Sequence, residues 1–158
     1  MGKPKNKQPR APALAAGPGR VAPTKQVPAK VLRNLGGSDD SGTLIIRFNQ
    51  TDVGGPWCLS KATPDQMRRL LEAVTSYETM TPIEAFKGRP GKDYPAKDLP
   101  TKEAIERLID LGLDDQDSIS RLSLTGEERL YGFRRGRYFH VLWWDPHHQI
   151  WPSKLKHT

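Results

Sequence analysis

Apolar residues follow three successive rhythms in this chain. Residues 43–49, Thr-Leu-Ile-Ile-Arg-Phe-Asn, form a β-branched run bounded by Ser41-Gly42 and by Gly54-Gly55-Pro56, which predicts an opening strand. From residue 63 the rhythm changes to 3.6. Thr63-Pro64-Asp65-Gln66 supplies a capping hydroxyl, a proline at the first helical position and a Gln that reaches back to the cap. A helix of about 15 residues is expected to follow, with Met67, Leu70, Leu71, Val74 and Tyr77 on the buried stripe and Arg68, Arg69 and Glu72 opposite. Thr81-Pro82-Ile83-Glu84 repeats the cap and predicts a short helical turn through Phe86. Residues 87–100 mix Gly, Pro, Lys and Asp without period and predict an exposed loop. A further helix should start at Thr101, with Ile105, Leu108, Ile109 and Leu111 on one face and a stop at Gly112.

The third rhythm is alternation broken by turn residues. Strands are predicted at residues 119–124, 129–135, 137–144 and 149–151, giving the order β, α, α, then an antiparallel meander. The fold class is therefore α+β. A two-residue turn at Arg135-Gly136 would pair Arg134 with Arg137, Phe133 with Tyr138, Gly132 with Phe139 and Tyr131 with His140. One face then carries Leu130, Arg134, Arg137, Phe139, Val141 and Trp143; the other carries Tyr131, Phe133, Tyr138, His140, Leu142 and Trp144. Both faces are apolar, so the pattern leaves open which one meets the helices. His140 is a hydrogen-bonded core imidazole if its face is covered, and part of an aromatic binding surface if it is not.

Composition adds one boundary. Residues 1–40 hold 8 Lys/Arg and 2 Asp, a net +6 of the chain's +7, among Pro, Ala and Gly with few large apolar groups. Such a segment cannot bury enough surface to offset chain ordering, so residues 1–41 are expected to be a disordered basic head and residues 42–158 a single domain. Within the head, residues 27–35 are the candidate for a short anchor on the domain. A basic head can tether a protein to a polyanion. No apolar run is long enough to span a bilayer or to serve as a secretory signal, so no membrane partner and a cytoplasmic location are expected. Cys58 is the lone cysteine, which excludes an internal disulfide.

Candidate chemistry concentrates in the last thirty residues, which contain every His, three of the four Trp and six Lys/Arg against Asp145. Arg134, Arg135 and Arg137 surround one glycine, and guanidinium forks at a hairpin tip suit phosphate. Tyr138, Lys154 and Lys156 extend the candidate nucleic-acid surface. Arg135, His140 and His157 are the candidates for acid/base or transition-state work, His157 because Lys154 and Lys156 would favour its neutral form. His147 and His148 sit in the turn after Asp145-Pro146 without the helical spacing or thiolate partner of a zinc site, and Asp114, Asp115 and Asp117 lack a calcium-loop spacing. No metal and no cofactor are expected.

The order of elements, with Leu122-Ser123-Leu124-Thr125-Gly126 leading into Arg129-Leu130-Tyr131-Gly132-Phe133-Arg134-Arg135-Gly136-Arg137-Tyr138, resembles the RelE/ParE toxin superfamily. It also resembles bacterial proteins that share the ending Phe139-His140-Val141-Leu142-Trp143-Trp144-Asp145-Pro146. The RelE resemblance implies an RNA- or ribosome-binding protein, a metal-independent messenger-RNA endoribonuclease paired with an antitoxin. In such chemistry a base takes the 2′-hydroxyl proton and an acid serves the leaving oxygen. The family's basic strand maps onto Arg134 or Arg135 and its terminal His or Tyr onto His157. The chain departs from it at Tyr138-Phe139-His140, where members usually carry an Arg, and at the final Thr158. The alternatives are a non-catalytic protein-interaction module using the aromatic hairpin and a ParE-like inhibitor of a DNA-handling enzyme.

Overall fold

The computed structural model describes residues 41–88 and 90–154. The basic head up to residue 40, including the anchor candidate at residues 27–35, lies outside the described residues, as do Lys156 and His157. A five-stranded mixed sheet is built from β1 (Ile45–Arg47), β2 (Gly91–Pro95), β3 (Ser118–Ser123), β4 (Arg129–Arg135) and β5 (Tyr138–Asp145) in the order β1-β5-β4-β3-β2. Helices α1 (Pro64–Tyr77), α2 (Pro82–Phe86) and α3 (Lys102–Asp110) complete the α+β fold. β1 runs parallel to β5, and the other pairs are antiparallel.

Both capping boxes form. Thr63 Oγ1 accepts from Gln66 N at 3.3 Å while Gln66 Oε1 accepts from Thr63 N at 2.8 Å. Thr81 and Glu84 make the same reciprocal pair, which holds the Glu84 carboxyl below its usual range. The stripes behind the caps are narrower than the sequence suggests. On α1 Leu70 and Tyr77 are buried, but Leu71 is 55% exposed; on α3 the buried pair is Ala104 and Leu108, while Ile109 is 54% exposed. Each helix lies on the sheet along a single line of contact, so the residue one position round from the line faces solvent.

Residues 87–100 are not a bare loop, because they contain β2, an edge strand paired with β3 from Gly91↔Leu122 to Pro95↔Ser118. Its polar sequence concealed it: only Gly91 and Tyr94 are buried, and the proline that ends it suits an edge. Gly91 is required there, since a Cβ would lie 2.4 Å from Ala85 O. Residues 149–151, predicted as a strand, instead form a turn that seats Ile150 in the core. The buried Asp145 carboxylate accepts from His147 N (3.2 Å), Gln149 N (3.0 Å) and Ile150 N (2.8 Å). Three amides satisfied by one carboxylate replace a ladder.

The hairpin also differs from expectation by one position. Arg135 pairs with Tyr138, so the turn residues are Gly136 and Arg137, with Gly136 at φ 55° in the left-handed region. Further along, a β-bulge falls between Tyr131↔Trp143 and Gly132↔Val141. The bulge moves Trp143 onto the face of Tyr131, Phe133 and Leu142, and Trp144 onto that of Leu130, Phe139 and Val141, the reverse of strict alternation. Both faces are covered except toward the hairpin, where Arg47 is exposed and Arg135 and Tyr138 are half-buried. α1 and α2 cover the Phe139 face through Leu70, Tyr77 and Ala85, while α3, Trp57 and Ile150 cover the Tyr131 face through Leu108 and Leu113.

An ion pair between a buried carboxylate and a half-buried guanidinium fixes the chain between β1 and α1. Asp52, fully enclosed, accepts from Arg107 Nε (2.7 Å), Arg107 Nη2 (2.6 Å) and Trp143 Nε1 (3.1 Å). Its own amide donates to Leu142 O at 3.0 Å. Gly55 must lack a side chain, because a Cβ there would lie 2.0 Å from Asp52 Oδ2. The outer edge of β1 is closed in turn by Glu78, whose Oε1 accepts from Ile46 N at 3.2 Å, and by Met80 O, which accepts from Leu44 N at 2.7 Å.

Candidate nucleic-acid interface

On the α3 side of the sheet the apolar cover ends at Phe133, and the face continues toward the hairpin with polar residues. Parallel pairing sets Arg47 beside His140 and Ile45 beside Tyr138, and β4 adds Arg135 opposite Tyr138. Because side chains two apart share a face, Arg47, Arg135, Tyr138 and His140 form one group. The Arg47 guanidinium lies over the Tyr138 ring at 4.6 Å and that of Arg137 at 5.7 Å. Arg47 is exposed; Arg135 and Tyr138 are half-buried. Arg135 is aimed by its donations to Gln116 Oε1 (2.8 Å) and Arg134 O (3.1 Å). Planar guanidinium on a tyrosine ring, with further guanidiniums alongside, is a surface that can stack a base and grip phosphate.

His140 lies beneath this surface and is closed to solvent. Its Nδ1 is 2.9 Å from Asn49 Oδ1, so Nδ1 carries the proton and donates, leaving Nε2 as a lone pair with no hydrogen-bond partner among the described residues. Burial first, then the charges of Arg47 and Arg135, push its pKa from 6.5 down to about 4. A neutral, enclosed imidazole ties the end of β1 to β5 through Asn49.

The other expected site residues separate. Arg134 points to the opposite face, where its Nη2 donates to Asp93 Oδ2 at 2.8 Å and its guanidinium lies 4.8 Å over the Phe86 ring. That pairing offsets its charge with a carboxylate. Lys154 is exposed on the C-terminal segment, and the turn of His147 and His148 lies at the other end of β5. His148 adopts φ 56°, and burial, then Arg129, lowers its pKa. Near that end Cys58 is buried beside a cleft of about 260 Å³ lined by Trp57, Lys61, Trp144 and His147. Burial raises the Cys58 thiol, but the Ser60 hydroxyl at 3.1 Å and the Gly54 and Ser60 amides outweigh it and lower the pKa.

Arg47 and Asn49 are the group's members that sequence reasoning missed. Arg47 was visible as a cation inside the first β-branched run. What was not visible is the parallel pairing that brings residues 45–47 beside residues 138–140, more than ninety positions away. No family model, curated protein or solved structure matches this chain.

Proposed function

We propose that this chain is an RNA-binding domain, of the kind its RelE-like features imply, which holds single-stranded RNA, free or on the ribosome, at the hairpin end of its sheet. The observation that carries the reading is the Arg47–Tyr138–Arg137 stack with Arg135 beside it. Stacking on an aromatic ring is tolerant of base identity, and guanidinium forks supply the phosphate contacts. Arg134, held by Asp93 on the other face, is left out of this group. His140 acts in this reading as a positioning residue: it cannot meet a 2′-hydroxyl from its enclosed place, and it orders Asn49 and the strand that carries Arg47. The domain on this view binds RNA, and cleavage would require a base other than His140.

Tyr138→Ala tests the stack. A single-stranded oligoribonucleotide titrated by fluorescence anisotropy should bind the variant more weakly by about 1–3 kcal/mol, the worth of one base–aromatic stack. Arg134→Ala should bind within about 0.5 kcal/mol of the parent, as expected for a residue away from the site. Equal losses in the two variants would contradict the assignment of the site to this face.

A further inference from the structure

The outer face of α3 is apolar and acidic together. Ile105 and Ile109, one turn apart, are 39% and 54% exposed. Residues 103–117 carry the carboxylates Glu103, Glu106, Asp110, Asp114, Asp115 and Asp117 against Arg107, and Arg107 is committed to buried Asp52. Lys102, just before them, pairs with Glu106 at 3.5 Å. Beside the helix runs a groove of about 320 Å³ lined by Lys97, Ile105, Leu108, Asp114, Asp115 and Asp117. An occupant suited to this face has an apolar stripe interleaved with cations.

We propose that residues 27–35 of this same chain dock there. Their sequence, Val-Pro-Ala-Lys-Val-Leu-Arg-Asn-Leu, places Val27, Val31, Leu32 and Leu35 at spacings of four, one and three, with Lys30 and Arg33 between them. They belong to the 40-residue segment that holds 8 Lys/Arg and 2 Asp, the opposite balance to the α3 face. The start of the described domain and the groove both adjoin the β4–β5 hairpin. A Cβ on Gly42 would lie 2.8 Å from Arg137 Nη1, while Gln116, at the groove, accepts from Arg135 of the same hairpin at 2.8 Å. Residues 36–41 can span roughly 20 Å when extended. A tether of that length gives an effective concentration of about millimolar, so even a weak contact is populated.

Limited trypsinolysis of the full chain reads the contact directly, with rates at each site normalised to those in a synthetic peptide of residues 1–40. Cleavage after Lys30 and Arg33 should be about tenfold slower than after Lys7, Arg20 and Lys25, the factor expected when the cleavable form is roughly a tenth of the population. Ile109→Ser with Asp114→Lys on the domain, and separately Val31→Ser with Leu32→Ser on the segment, should each remove the protection; the second pair leaves the folded domain untouched. Uniform normalised rates across the head, or protection that survives both pairs, would overturn the proposal. Protection that grows with protein concentration would overturn it also, by making the occupant a segment of a second copy.

Discussion

At the scale of single residues, two buried charged or titratable groups have opposite consequences. His140 is held neutral, its pKa falling to about 4 in the fold from 6.5. Between those values the unfolded chain binds the proton and the folded chain does not, so stability rises with pH across the window. The contribution is whole above about pH 6.5 and is lost as pH falls toward 4, a change of at most about 3 kcal/mol. Urea unfolding at pH 7 and pH 5 should show the native protein weakened at pH 5; His140→Gln should flatten that difference, and an unchanged pH slope in the variant would contradict the burial of the imidazole. Asp52 is instead a charge kept buried by its partner. Arg107→Ala leaves that carboxylate enclosed without its ion pair and should cost about 3–5 kcal/mol in the same assay. Arg68→Ala, which removes the exposed Arg68–Glu72 pair at 2.9 Å, should cost less than about 1 kcal/mol. Comparable losses would mean that the Asp52–Arg107 pair is not the enclosed one.

At the scale of elements, what was legible was what is local. The capping boxes at Thr63 and Thr81, the helices α1 and α3, and the strands β3, β4 and β5 follow from neighbours within a few positions, and each formed within a residue or two of its expected place, though with narrower buried stripes on the helices. What escaped depends on distant chain. β2 has too few apolar residues to announce itself and exists because β3 offers its edge. The exchange of Trp143 and Trp144 between faces comes from one bulge, whose cue was Gly132 in the middle of a strand. That glycine is under a hard constraint: a Cβ would lie 2.0 Å from His140 O. Gly132→Ala should therefore destabilise by about 1–3 kcal/mol or more, as overpacking does. A neutral effect in chemical denaturation would contradict the bulge, and with it the placement of Trp143 against Asp52. The candidate site was half legible for the same reason. Arg135, Arg137 and Tyr138 stand together in sequence, whereas Arg47 joins them through a parallel pairing and Asn49 through its contact with His140, neither of which a local pattern reveals.

At the scale of the molecule, net charge is a poor guide and its distribution a better one. The formal +7 is almost all in residues 1–40, yet the remainder is not evenly mixed. Arg47, Arg135 and Arg137 gather at the hairpin end of the sheet, while carboxylates gather on α3 and the turn after it. In the reading proposed here, cations placed around a tyrosine ring at one end would give a polyanion a preferred place to bind, which a uniformly balanced surface would not. The measurement that bears most directly on this account is the salt dependence of single-stranded RNA binding by the full chain and by Arg47→Ala/Arg135→Ala, once circular dichroism shows both to be folded. Two lost phosphate contacts should reduce the slope of log K against log salt by about 1.4, at roughly 0.7 per contact on a single strand, and weaken binding at low salt. A slope and affinity unchanged by the double substitution would contradict the account and leave the hairpin end without the role proposed for it.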